Sequence, residues 1–451
     1  MCKLSARQFR TVAFPILTVF SLGGCSSYVQ SHLDEGDNYF KQQKYRDAIT
    51  QYVKAVRVDG DNRRGVRQLG LAYYQLGEAK DAYAYLSKSE ILQPIDPVVR
   101  LRLGTLYLGD SRPDEAQKEA RAILATDPKN VEALSLLGSS YLAQKQPTKA
   151  GDAYRRMVEL SPRSPQAHFL FAGSLLAENK RDEARAELES ALALAPGYPD
   201  ALSRLVEMDL ADNRRDEALA RIKKQITIAG SSARNLNLLG GVQALRGDRE
   251  AAEAAFLEAI RLDPSAVDSR VALANIRAQS GKMDEALLGL DEAVKANPKS
   301  PTALMTRGIV YQQKGDYAKA REAYEQVLAI DPRNAVASND LAWLLSEKLG
   351  DQRTAFQIAS SAHAAAPDDA HLGDTFGWIL YKTGDYKRAT TVLRQAAVNL
   401  PDNPAIQYHL GLALQQAGDT EGARRALTRA ASSSTDFSEK GDARKALAAL
   451  K

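Results

Sequence analysis

One alanine recurs along this 451-residue chain with a fixed period. It stands at Ala48, Ala82, Ala116, Ala150, Ala184, Ala218, Ala252, Ala286, Ala320, Ala355, Ala389 and Ala423. Every interval is 34 residues except Ala320 to Ala355, which is 35. Twelve residues upstream of most of these stands a small residue: Gly36, Gly70, Gly104, Gly138, Ala172, Gly240, Ala274, Gly308, Gly377 and Gly411. Val206 holds that place in the sixth unit, and Ala342 holds it across the inserted residue of the tenth. Twelve downstream comes proline in nine units, from Pro94 to Pro401, with Gly60 and Gly230 in two others and Ser434 one residue short of that place in the last. Length alone would suggest several domains, but a stack of like units evades that expectation, because each unit packs only on its neighbours.

The pattern has a direct physical reading. Glycine inside a helix costs about 1 kcal/mol against alanine, so its recurrence at one phase means close helix approach. With the recurring alanine it lets two antiparallel helices touch near their crossing point. Added methylenes there should cost roughly 1–3 kcal/mol by overpacking. The repeat-packing set is typified by Gly36 with Ala48, Gly70 with Ala82, Gly308 with Ala320 and Gly377 with Ala389. Proline ends the second helix and starts the next unit. Gly77, Gly247, Gly281, Gly315, Gly350, Gly384 and Gly418 mark the turn between the two helices. Four residues after the alanine come apolar side chains such as Tyr52, Leu86, Tyr154, Phe256, Tyr324 and Leu393, expected to face the next unit.

The segments Gly308-Ile-Val-Tyr311, Gly315-Asp-Tyr317, Ala320, Tyr324 and Asp331-Pro332 resemble the tetratricopeptide (TPR) repeat. The resemblance covers about residues 29–437, twelve units. It implies an all-α solenoid of helix-turn-helix repeats in a right-handed superhelix, whose first helices line a concave groove. Repeats one to six would occupy 29–232 and repeats seven to twelve 233–437. Two units depart from the pattern. The sixth has Val206, Asp209 in place of the usual aromatic, and Gly230 in place of proline, which points to a softened joint around Thr227–Arg234. The tenth carries its extra residue near Leu349-Gly350. Ser432-Ser433-Ser434 breaks the last repeat helix, and 438–451 reads as a capping helix with Lys440, Arg444, Lys445 and Lys451 exposed.

The N-terminus reads as an address. Lys3, Arg7 and Arg10 precede an apolar run from Val12 to Leu22, too short for the roughly 20 residues of a membrane span. The run ends in Leu22-Gly23-Gly24-Cys25, which resembles a bacterial lipobox, with Gly23 where Ala, Ser or Thr is commoner. The resemblance implies that 1–24 is a lipoprotein signal peptide and that Cys25 is acylated (palmitate among the chains) and becomes the first residue. Ser26 rather than Asp then implies the outer membrane. Residues 25–28 would form a short tether of at most roughly 18 Å, ahead of a helix beginning by about Gln30. The leader supplies three of the four net positive charges, so the near-neutral body gives no electrostatic case for nucleic acid. With Cys2 in the leader, the mature chain has one cysteine and no internal disulfide.

The sequence holds no catalytic constellation: His32, His168, His363, His371 and His409 form no metal-ligand pair, and no phosphate-binding loop is present. No cofactor or metal is expected. Asp368-Asp369-Ala-His371 and Asp59-Gly60-Asp61-Asn62 read as turn and N-cap chemistry. Some cytosolic TPR proteins hold a chaperone's terminal carboxylate in a clamp of Lys, Asn and Arg. The basic and Asn positions of that clamp fall here on Leu33, Asp37, Leu101 and Thr105, so that reading is not expected. Trp343 and Trp378 directly follow the small residue in adjacent repeats, with Tyr381 and Tyr408 to the same side and Asn339 and Asp374 one turn before. These residues either form a partner-binding groove or fill space between successive first helices. Leu341-Ala-Trp343-Leu and Gly377-Trp378-Ile-Leu-Tyr381 are similar to segments of repeat lipoproteins from exopolysaccharide and exosortase-linked export systems. The expected function is a non-enzymatic scaffold for envelope proteins, lipid-held and facing the periplasm. A pilus or secretin assembly lipoprotein and a polysaccharide-binding groove stand as alternatives.

Overall fold

The computed structural model describes residues 19–450, with side chains from residue 26. Among the described residues there is no strand, and helices alternate with short turns from Val19 to Ala449. Twelve helical hairpins follow one another, and a last helix, Lys440–Ala449, closes the series. Ala443 of that helix and Leu450 just past its end are buried, and Arg424 donates to the Leu450 carbonyl. Arg444 and Lys445 are exposed as expected, Lys440 is half-buried, and Lys451 lies outside the described residues.

The recurring alanine is buried to zero exposure in every repeat. The partner of the recurring glycine differs from the expectation. An added Cβ at Gly36 would lie 2.5 Å from the Tyr52 ring, at Gly308 2.5 Å from Tyr324, and at Gly377 2.5 Å from Leu393. The large side chain four after the alanine therefore lies on the glycine of its own repeat, not only against the next unit. Repeat three shows why. Its corresponding residue is Ala120, too short to reach, and Leu136 of the following repeat fills the space over Gly104 instead.

The turn within each hairpin places one residue in the left-handed region. Glycine takes it in seven repeats, from Gly77 (φ +74°) to Gly418 (φ +84°). Gln43, Ser111, Lys145, Asn179 and Asn213 take it in the other five, at φ between +57° and +61°. The first helices are capped at a matching phase. Asn62, Asp96, Asn130, Ser164, Ser232, Ser300, Asn334, Asp369 and Asn403 each accept backbone N–H donors of the first turn. Asp369 thus spends an oxygen on the amides of His371 and Leu372.

A second device was not read from the sequence. Six residues after the proline position, a polar side chain folds back onto that residue's carbonyl: Arg100 on Pro94 (2.7 Å), His168 on Pro162 (3.1 Å), Arg270 on Pro264 (2.9 Å) and Gln407 on Pro401 (3.0 Å). Arg100 also bonds Glu119 at 2.5 Å and His168 bonds Glu187 at 2.5 Å, so the clasp ties loop, first helix and second helix together.

The chain divides into two compact units, residues 1–212 and 213–451. The division falls at the turn inside repeat six, upstream of the expected Thr227–Arg234 joint. At that expected joint Gly230 ends the helix Arg215–Ala229 at φ +83°, and Ser232 and Asn235 form a reciprocal capping box. In the first unit Asp209 is 1% exposed and pairs with Arg185 at 2.5 Å, which accounts for an acid at an aromatic position. In the second unit the extra residue of repeat ten is absorbed by a π turn, Leu345–Leu349, that continues the helix Ala335–Leu344. The Asp351 N–H consequently reaches back six residues to Leu345, where Asp316 and Asp385 reach back five.

The first helix begins at Val19 and runs to Lys41, earlier than the Gln30 start expected. Residues 25–28 are helical rather than an extended tether. The charged leader lies outside the described residues. Among the described residues no helix is long and apolar enough to cross a membrane.

Candidate functional site

The C-terminal candidate residues sit on three successive first helices of the second unit: Ala335–Leu344 with its π turn, Ala370–Lys382, and Pro404–Gln416. Their caps, Asn334, Asp369 and Asn403, hold the helices in one register. The small residues Ala342, Gly377 and Gly411 then set how each helix packs on its own second helix. At Gly377 and Gly411 an added Cβ would meet Leu393 and Leu427 at 2.5 and 2.6 Å.

Polar side chains link the three helices in a ladder. Asn339 Oδ1 accepts from Thr375 Oγ1 at 2.6 Å. One repeat on, Asp374 Oδ1 and His409 Nδ1 are 2.8 Å apart. In both rungs the residue three before the small position bonds the residue two before it in the next repeat. The indole N–H of Trp378 donates to Glu347 at 3.0 Å, and Lys382 lies 3.6 Å from the same carboxylate. Tyr381 stacks on Trp378 with centroids 5.0 Å apart, and His409 stacks on it at 4.3 Å. Burial opposes protonation of His409, but the charge and hydrogen bond of Asp374 outweigh it and hold the imidazole above its ordinary pKa. Burial pushes the Tyr381 and Tyr408 phenols up.

The structure thus brings Asp374, Trp378, Tyr381 and Tyr408 together around His409, which also meets Tyr408 at 5.7 Å. Tyr408 is buried, and the hydrogen-bonding groups of Trp378 and Asp374 are taken up inside the protein. Trp343 stands apart. It is half-buried, and the exposed Lys348 ammonium lies 5.4 Å above its ring and 5.8 Å above Tyr317. Asp340, beside Asn339, is half-buried, and burial raises its carboxyl. Sequence reasoning missed His409, Thr375, Glu347 and Lys348. The first two were open to discovery, because they share the phase of Asp340, two before the small residue. Glu347 and Lys348 owe their placement to the π turn, which the sequence signals only as a one-residue insertion.

The carboxylate-clamp positions of the first unit are occupied differently. Leu33 is core. Asp37 accepts from Tyr52 (2.6 Å), Gln68 (3.0 Å) and Arg64. Burial works against its ionisation, but these donors outweigh it and hold its carboxyl below the usual range. An acid committed to three donors is the wrong charge to receive a peptide carboxylate. Among the described residues no group of His, Cys, Asp and Glu is arranged to hold a metal.

Family models described as tetratricopeptide repeat match residues 101–165, 175–234, 245–301, 301–334 and 375–439, and one described as TPR repeat matches 36–77. Together they span more than half the chain. Among curated proteins, the chain is 28% identical over 109 residues to DnaJ homolog subfamily C member 3 of Mus musculus and of Homo sapiens. The match covers 24% of this chain and 22% of each relative, so the chain spans about a fifth of their length. Among solved structures it is similar to yeast Tom70, at 16% identity and TM-score 0.49 over 89% of this chain and 99% of that one. It is also similar to Cut9 in the APC/C hetero-tetramer Cut9-Hcn1, at 16% identity and TM-score 0.42 over 92% and 88%, and to the MamA protein, at 22% and 0.35 over 38% and 92%.

Proposed function

The chain belongs to the tetratricopeptide-repeat family, and from that premise we propose that it is a non-enzymatic scaffold that binds segments of other envelope proteins. It is held by acylated Cys25 to the periplasm-facing side of a bacterial outer membrane, where it assists an exopolysaccharide or cell-surface protein export system. The observation that carries the binding reading is the aromatic face of the second unit, where exposed Lys348 and Lys382 lie over Trp343 and Trp378. A partly wetted indole beside a cation suits a docked peptide that brings apolar and acidic side chains. Trp343 is the anchor of that surface, and Asn339, Asp374, Trp378, Tyr381 and Tyr408 are its support. Stacking on a sugar needs free indole surface, and the Tyr381 and His409 rings already take up that of Trp378. The reading of the N-terminus rests on the Leu22–Cys25 motif.

In-cell photo-crosslinking from position 343, with position 378 as a second site, tests the surface. Capture of one envelope protein from 343, lost on Lys348→Glu, is the expected result. Capture only from first-unit positions such as Tyr74 or Phe169 would overturn the site. For the anchor, Cys25→Ser should release the protein from the membrane fraction.

A further inference from the structure

Each hairpin of the first unit starts and ends at the same edge, because the first helix leaves it and the second returns to it. The loops between repeats therefore line one edge together with the starts of the first helices. Directly after the position usually held by proline, the other loops of this unit carry Asp61, Lys129, Arg163 and Gly197. At that one phase repeat two alone has a large apolar residue, Ile95, and it is 80% exposed. Ile91, in the last turn of the helix Ala79–Leu92, is also 80% exposed. Neither exposure is a matter of loose loop. Pro94 and Pro97 flank the segment, Arg100 clasps the Pro94 carbonyl at 2.7 Å, and buried Asp96 pairs with Arg67 at 2.6 Å. The backbone is pinned on both sides of an isoleucine that faces solvent.

Two further apolar groups lie on the same edge, in repeat one: Tyr28 at 46% exposure and Val58 at 49%. The N-terminal helix ties this edge to Cys25. First helices of the next repeats begin at Arg63 and Pro97, which puts the matching start of repeat one near residue 29. The helix extends beyond that point to Val19, and Cys25 lies four residues outside it, about 6 Å of helical rise past the edge. Neighbouring helices pack about 10 Å apart, so Ile95 lies within a few helix diameters of the cysteine.

We infer that the loop edge of repeats one and two is a bilayer-docking surface, on which Ile91 and Ile95, with Tyr28 and Val58, enter the interfacial region of the membrane that carries the Cys25 lipid. The inference rests on the lipid-anchor reading above. An acyl chain at Cys25 brings this edge to the bilayer, and apolar side chains there gain by leaving water, while tyrosine suits the headgroup level. The docked edge fixes which face of the first unit looks away from the membrane.

The mature chain has no cysteine other than the acylated Cys25, so Ile95→Cys provides a lone reactive thiol. Lys80→Cys, at the start of a second helix and so at the opposite edge, provides the control. Lipidated protein bearing an environment-sensitive fluorophore at either position is reconstituted into phosphatidylethanolamine–phosphatidylglycerol vesicles containing acyl-chain spin labels. The expected result is several-fold stronger quenching at 95 than at 80. Equal quenching on protein that floats with the vesicles would overturn the docking edge and leave the anchor standing. So would crosslinking between copies through position 95 in place of quenching. Flotation that is absent, or unchanged by Cys25→Ser, would overturn the anchor and the edge with it.

Discussion

Adjacent glycines in repeat seven separate packing from propensity. Gly240 and Gly241 lie side by side in the helix Ala233–Arg246. A Cβ on Gly240 would come 2.7 Å from Cε1 and 2.8 Å from Cδ1 of Phe256, whose side chain is 2% exposed and has nowhere to go. A Cβ on Gly241 would meet nothing within 4 Å. Alanine gains about 1 kcal/mol of helix propensity at either position. At Gly240 that gain is opposed by roughly 1–3 kcal/mol of overpacking. Because the propensity term is common, Gly240→Ala should be less stable than Gly241→Ala by about 1–3 kcal/mol, with Gly241→Ala more stable than the parent. A repeat array need not unfold in one step, so the measurement is amide hydrogen exchange across residues 233–262 rather than a global midpoint. Equal protection in the two variants would refute the claim that recurring glycine marks ring contact within a repeat.

Other consequences are as direct. Leu136→Ala should cost about 2–5 kcal/mol, read as faster exchange in repeat three as well as repeat four, because the void opens over Gly104. Lys145→Gly should stabilise its hairpin by about 1 kcal/mol, since a left-handed turn at φ +58° strains any residue with a Cβ; slower amide exchange across residues 131–160 would show it. Raised by Asp374, His409 contributes stability that is complete below the ordinary imidazole pKa near 6.5 and is lost as pH rises through its higher folded value. Tryptophan emission should follow that titration, and Asp374→Asn should move its midpoint down.

The periodic alanine, glycine and proline were enough to place nearly every helix, because each marks a backbone event that any residue pattern must respect: contact, turn or stop. The partner of each contact was harder to read. Glycine at 36 or 308 announces a close neighbour without naming it, and only the length of Tyr52 or Tyr324 against Ala120 decides whether that neighbour comes from the same repeat. The π turn was legible as an odd residue at 349–350, yet its effect, bringing Glu347 to the Trp378 indole, depends on where the helix widens. Local pattern sees a tryptophan and an aspartate one turn apart, whereas the hydrogen-bond rung joins Asp374 to a histidine in the next repeat, 35 residues on. The Pro-plus-six clasps went unread for a similar reason: arginine, histidine and glutamine look unrelated until geometry gives them one task.

The borrowed side chain over Gly104 makes the array unevenly divisible. A hairpin that covers its own glycine is complete as soon as its second helix has formed. Repeats one and two meet that condition, since Tyr52 and Leu86 arrive with their own second helices. Repeat three does not, and it stays open until the helix Val131–Ala143 is laid against it. During synthesis the growing chain would therefore close two hairpins in turn, pause, and close the next two as a pair. A form shortened within the first four repeats should end after residue 58, 92 or 160, never at the seam between 92 and 160.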